Sequence, residues 1–175
     1  MNAILLRFLY CLRKAVIFSL IALLIIAILT FTVPIISNNI ALSKFSKQLT
    51  ANLPSDTIIV ETKDTCGHLS GNNSGMEFLA IALVQSDLSL AELTAYYNTL
   101  DFTVARPDDL GSADSDGIVI VLVQQASEAE FILPYELYAG EYTKLTFKKY
   151  TSAENLYYIA IYDGKYLFSL DIRSG

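Results

Sequence analysis

Hydrophobic and polar positions divide this chain into two unlike parts. From Val16 to Val33 the sequence reads VIFSLIALLIIAILTFTV, with no charge, glycine or proline and only Ser19, Thr30 and Thr32 as polar members. A helix of that length, at about 1.5 Å per residue, comes close to the roughly 30 Å hydrocarbon core of a bilayer. Residues 16–33 are therefore expected to form a transmembrane helix. Pro34 lacks the amide N–H that would continue the ladder and is expected to end it. Beyond it Ile36, Ile40, Leu42, Phe45 and Leu49 recur at near-helical spacing. Residues 34–54 thus read as a juxtamembrane linker or helix, stopped by Asn52 and Pro54.

After residue 55 the period shifts towards two. Thr57–Lys63 and Phe78–Val84 read as strands, joined through the glycine-rich CGHLSGNNSGM segment as an antiparallel pair. Ser89-Leu90-Ala91-Glu92 is a capping box, in which the serine accepts from the N3 amide and the glutamate reaches back to the serine amide. Leu88 and Leu93 take the places of a hydrophobic staple, and Leu90, Leu93, Tyr97 and Leu100 form a stripe, which predicts a helix over Leu90–Leu100. Phe102–Ala105, Gly117–Gln124, Phe131–Leu133 and Tyr142–Tyr150 are further strand candidates, Pro134 limiting the third. Leu156–Tyr162 and Tyr166–Ile172 alternate strongly, with Asp163-Gly164 placed as a hairpin turn. The expected fold is α+β: an N-terminal transmembrane helix, then one domain over 55–175 with a mostly antiparallel sheet of five to seven strands and one packed helix.

Charge sharpens the division. Residues 1–54 hold five Lys/Arg and no Asp/Glu; residues 55–175 hold seven Lys/Arg against all eighteen Asp/Glu, a net of −11. Such a domain repels phosphate backbones, so no nucleic-acid partner is expected. Arg7, Arg13 and Lys14 crowd one end of the apolar run, whereas Lys44 and Lys47 lie ten or more residues past the other. That bias favours a short cytoplasmic tail (residues 1–15) and an extracytoplasmic domain at the cell membrane. The run is longer than a signal-peptide core, and Thr30-Phe31-Thr32 is a poor cleavage site, so an uncleaved anchor is expected. Cys11 and Cys66 would then lie on opposite sides of the bilayer and could not pair.

Candidate chemistry is sparse. Cys66-Gly67-His68 is the one place where two reactive side chains meet, with a thiol nucleophile or half a metal site as the functional reading and a buried thiol beside an exposed imidazole as the plain one. A metal needs three or four ligands, and the chain has no other histidine, so no metal or other cofactor is expected. Gly71, Asn72, Asn73 and Gly75 extend the segment into a backbone-lined loop. It lacks the lysine of a phosphate-binding loop and precedes a strand rather than a helix. Residues 108–117 (DDLGSADSDG) match a calcium loop in composition only, since Val123 falls where its final glutamate belongs. Eight of eleven tyrosines fall between Tyr135 and Tyr166, as a binding face or as β-formers on a half-exposed sheet.

The segment from Cys66 to Met76, with the Ser86-Asp87 pair and the Tyr96-Tyr97 helix end that follow, resembles uncharacterised membrane-anchored proteins of Gram-positive bacteria. Their pattern is Cys-Gly-x-Leu-x-Gly-Asn-x-x-Gly-Met, met here by Cys66, Gly67, Leu69, Gly71, Asn72, Gly75 and Met76. It covers about a fifth of the chain and implies a bacterial envelope setting with no activity attached. The functional expectation is a single-pass, non-catalytic accessory or interaction module, with the membrane and an envelope protein as partners. The alternative is a ligand-binding sensor or enzyme using the loop with Cys66, Gly67, His68, Gly71, Asn72, Asn73 and Gly75.

Overall fold

A computed structural model describes residues 3–69, 76–103, 119–133 and 143–167, together with Asp171 and Arg173. The first element is one uninterrupted helix, α1 (Ala3–Ala51), about 73 Å long at 1.5 Å per residue. Pro34 lies inside it, contrary to expectation. A proline within a helix costs roughly 3 kcal/mol through its missing hydrogen bond and ring clash. That cost is offset further along, where Ala41, Leu42, Phe45 and Leu49 are buried, each larger side chain contributing roughly 1.5–3 kcal/mol. The buried stripe is Asn38, Ala41, Leu42, Phe45 and Leu49. Ile36 and Ile40, expected on the same stripe, are exposed on another face, because the true stripe starts from a polar residue. The large apolar side chains between Val16 and Val33 remain about half exposed or more, and among the described residues this is the one helix long and apolar enough to cross a membrane.

Strands β1 (Thr57–Gly67) and β2 (Met76–Ser86) pair antiparallel from Thr57↔Ser86 to Gly67↔Glu77, with a bulge at Val60. Helix α2 (Leu90–Tyr97) follows, its capping box formed as predicted: Glu92 N–H donates to Ser89 Oγ at 3.3 Å, and Ser89 N–H donates to Glu92 Oε2 at 2.8 Å. It ends three residues short of Leu100, with Asn98 as its cap. Phe102 and Thr103 are not strand, and 104–105 lie outside the described residues. Strand β3 (Ile120–Gln125) pairs with the last strand, while β4 (Glu130–Ile132) and β5 (Lys144–Thr146) form a separate two-stranded ribbon. The last strand, β6 (Leu156–Leu167), runs straight through Asp163-Gly164, so no hairpin turn forms there. The reason is the neighbouring strand. Phe78 pairs with Asp163 and Met76 with Leu167, so a bulge absorbs the dipeptide while β6 stays on β2. The main sheet has the order β1-β2-β6-β3.

Both central strands are buried on both faces. One face carries Phe78, Ala80, Ala82 and Val84 of β2 with Ile159 and Ile161 of β6, and is covered by α1 and by Leu93 and Tyr97 of α2. The other carries Leu79, Ile81 and Leu83 with Tyr158, Ala160 and Tyr162, and is covered by Phe131, Leu133 and Phe147 of the ribbon region. The described tyrosines of β6 are thus core residues and not a half-exposed row. Tyr158 OH donates to Glu128 O at 2.6 Å, and burial, followed by Tyr150 and nearby glutamates, pushes its ionisation up to about 12.

Candidate functional site

Strand β1 continues four residues past its expected end, which turns Cys66 and Gly67 from loop into strand, paired with Phe78 and Glu77. Cys66 is buried on the α1 side of the sheet. Burial pushes its thiol up from the ordinary value, Arg173 partly opposes this, and Asp171 and Asp64 add to it. A thiol held protonated in a packed core is a poor nucleophile. Gly67 has φ 151°, and a Cβ there would stand 3.0 Å from Arg173 O, so glycine is required by both conformation and space.

The chain then turns under the carboxyl-terminal residues. His68 N–H donates to Arg173 O at 2.7 Å. The imidazole is half-buried rather than exposed, and its Nε2 has no hydrogen-bond partner among the described residues. Leu69 N–H donates to Glu77 Oε2 at 2.5 Å, Tyr162 OH donates to Glu77 Oε1 at 2.9 Å, and Thr143 Oγ1 donates to Leu69 O at 2.9 Å. Glu77 is fully buried, and the Leu69 and Tyr162 donors satisfy side-chain oxygens that would otherwise be costly in the core. Gly71, Asn72, Asn73 and Gly75 lie outside the described residues, as does 108–117.

Four residues that the sequence left unremarked organise this end of the sheet. Asp171 is buried and accepts from Asn38 Nδ2 at 3.0 Å and from Arg173 Nε at 2.9 Å. The Arg173 guanidinium, opposed by burial and aided by the Asn38 amide, holds the Asp171 carboxyl down to about 2. Arg173 itself reaches α1, donating to Asn39 Oδ1 at 2.8 Å and to Ile35 O at 3.4 Å. Asn38, Asp171 and Arg173 thus clamp the end of the chain to the helix, and Glu77 fastens the start of β2 to β6. Two signals existed. Glu77 is the lone charge in MEFLAIALV, and Asn38 is a polar residue on the stripe of Ala41, Leu42, Phe45 and Leu49.

Chemically, this arrangement is a set of ties. Among the described residues no three of His, Cys, Asp and Glu gather as metal ligands would. At the opposite end of the sheet lies a surface groove of about 420 Å³ bordered by Gln125, Ser127, Tyr150 and Glu154. Its polar groups bond to one another: Tyr150 OH donates to Ser127 O at 2.8 Å, and Gln125 Nε2 donates to Glu154 O at 2.5 Å. In comparisons with known proteins, no protein-family model, no curated protein and no solved structure matches the chain.

Proposed function

We propose that this chain is a single-pass membrane protein whose N-terminal helix anchors an acidic, extracytoplasmic α+β domain. The domain serves as a non-catalytic accessory or interaction module of the cell envelope, with an envelope protein as its partner. The observation that carries this reading is the split character of α1. Its residues from Val16 to Val33 present apolar side chains on which no described residue of the domain packs, while Asn38 to Leu49 of the same helix enter the domain core. An apolar surface of that size on a helix of that length matches a bilayer better than water. The three basic residues before the run support a cytoplasmic N terminus, and the resemblance at Cys66–Met76 supports a Gram-positive envelope. The burial of Cys66 weighs against the alternative of a thiol enzyme.

Fractionation and protease accessibility test the reading. The chain should stay with membranes in alkaline carbonate, and an impermeant protease added to intact cells should digest residues 55–175. Release into the carbonate supernatant would overturn the anchor, and protection from the protease would overturn the orientation. A Cys66→Ala, His68→Ala double variant that folds normally yet loses a deletion-complementing phenotype would contradict the non-catalytic module.

A further inference from the structure

We infer that the end of the sheet carrying Gly67, His68, Asp171 and Arg173 is the face that this domain lays against the bilayer interface. The inference rests on the anchor reading above and adds to it an orientation and a contact surface. The apolar run ends at Val33, and the first residue buried in the domain is Asn38, five positions on and about 7.5 Å along a helix. The headgroup zone on each side of the roughly 30 Å hydrocarbon core is about 5–8 Å deep. Ile35 and Asn38 therefore lie at headgroup depth, and Asn39, about 9 Å past the run, stands at its outer margin.

Those three residues are the ones the carboxyl-terminal clamp holds, through Arg173 to Ile35 O and Asn39 and through Asp171 to Asn38. Arg173 O in turn accepts from His68 N–H, which fixes the end of β1 at the same height. The far end is set independently. Gln48 Nε2 donates to Thr103 O at 2.6 Å, and Thr103 N–H donates to Gln48 Oε1 at 3.0 Å, near the turn from α1 into β1. The helix is thus tied to the domain at both ends of its buried stripe, which leaves no free stalk about which the domain could swing. Ile36, 58% exposed, stands on α1 just past the run, at the depth where apolar side chains gain from partial insertion. Charge does not drive the contact, because a domain of net −11 is repelled by anionic headgroups. The helix imposes it.

Depth-dependent quenching tests this. The full chain carrying Cys11→Ser is placed in nanodiscs, and either Asp64→Cys or Ser55→Cys is labelled with a fluorophore, the parent serving as control for buried Cys66. Both positions are exposed, and the strand from Thr57 to Asp64, which follows the turn at Ser55 and Asp56, carries the labels up to about 23 Å apart along the sheet. With a nitroxide on the lipid headgroup, the Asp64→Cys label should be quenched several-fold more than the Ser55→Cys label. The difference should be the same in zwitterionic and partly anionic bilayers. Equal quenching, stronger quenching at Ser55→Cys, or a difference seen only with anionic lipid would overturn the orientation. Failure of the chain to enter nanodiscs would instead overturn the anchor.

Discussion

The Asn38 side-chain amide donates to the Asp171 carboxylate at 3.0 Å across 133 positions of sequence, tying the first helix to the last residues of the chain. The carboxylate is buried, and Arg173 completes its charge balance. Its folded ionisation near 2 lies below the ordinary value of about 4, so it stabilises the fold above pH 4. That contribution, about 2 kcal/mol, is lost as pH falls from about 4 to about 2. Asp171→Asn should therefore unfold at lower urea at pH 7, and its deficit against the parent should shrink towards zero by pH 2. A deficit independent of pH would contradict the clamp.

Gly67 is held where a side chain has no room. Its φ of 151° and the 3.0 Å approach of a Cβ to Arg173 O predict that Gly67→Ala costs about 1–3 kcal/mol. Urea unfolding followed by circular dichroism measures the loss. Arg173 is part of the obstruction, so truncating the chain before Ile172 should lessen the added cost of Gly67→Ala.

Cys66 should be silent to thiol reagents in the folded chain. It is buried, and burial raises its ionisation, whereas Cys11 is exposed on α1. In detergent micelles a colorimetric reagent should titrate one thiol per chain before denaturation and two after it. Reaction of Cys66 in the folded state should be at least ~100-fold slower than that of Cys11, as it requires local opening. Comparable rates would show that Cys66 is open to solvent and not packed behind β1.

Much of the α+β outline was legible. The apolar run rests on a local signal alone, while the capping box at Ser89 and Glu92 and the two-sided alternation of Leu156–Tyr162 rest on local signals that tertiary packing reinforced. Two strong local signals failed for one reason: a partner outside their own segment outweighed them. Pro34 marks a helix end by itself, but the burial of Leu42, Phe45 and Leu49 and the reach of Arg173 to Ile35 keep the helix intact. Asp163-Gly164 marks a hairpin by itself, but β2 continues past it and holds β6 straight. The pairing in the clamp was not legible, because Asn38 lies 133 residues from Asp171 and a single polar residue on an apolar stripe does not name its partner.

The second half of α1 is core and not stalk, and a matched pair of truncations separates the two. Phe45 is fully buried, so Phe45→Ala should cost about 3–5 kcal/mol. Ile40→Ala, on the exposed face one turn earlier, should change stability by less than about 0.5 kcal/mol. Equal small effects would return residues 34–54 to the status of a linker.

The central claim is that one rigid helix passes from the proposed bilayer span into the core of the domain without a break at Pro34. Spin labels at Phe18→Cys and Ser43→Cys, in the Cys11→Ser chain held in nanodiscs, measure it by pulsed dipolar spectroscopy. Both positions are exposed, and twenty-five residues of continuous helix separate them by about 37 Å. A single narrow distance distribution near that value is predicted. A broad distribution, or one centred well short of it, would mean that the helix breaks at Pro34 and that the domain hangs from a hinge.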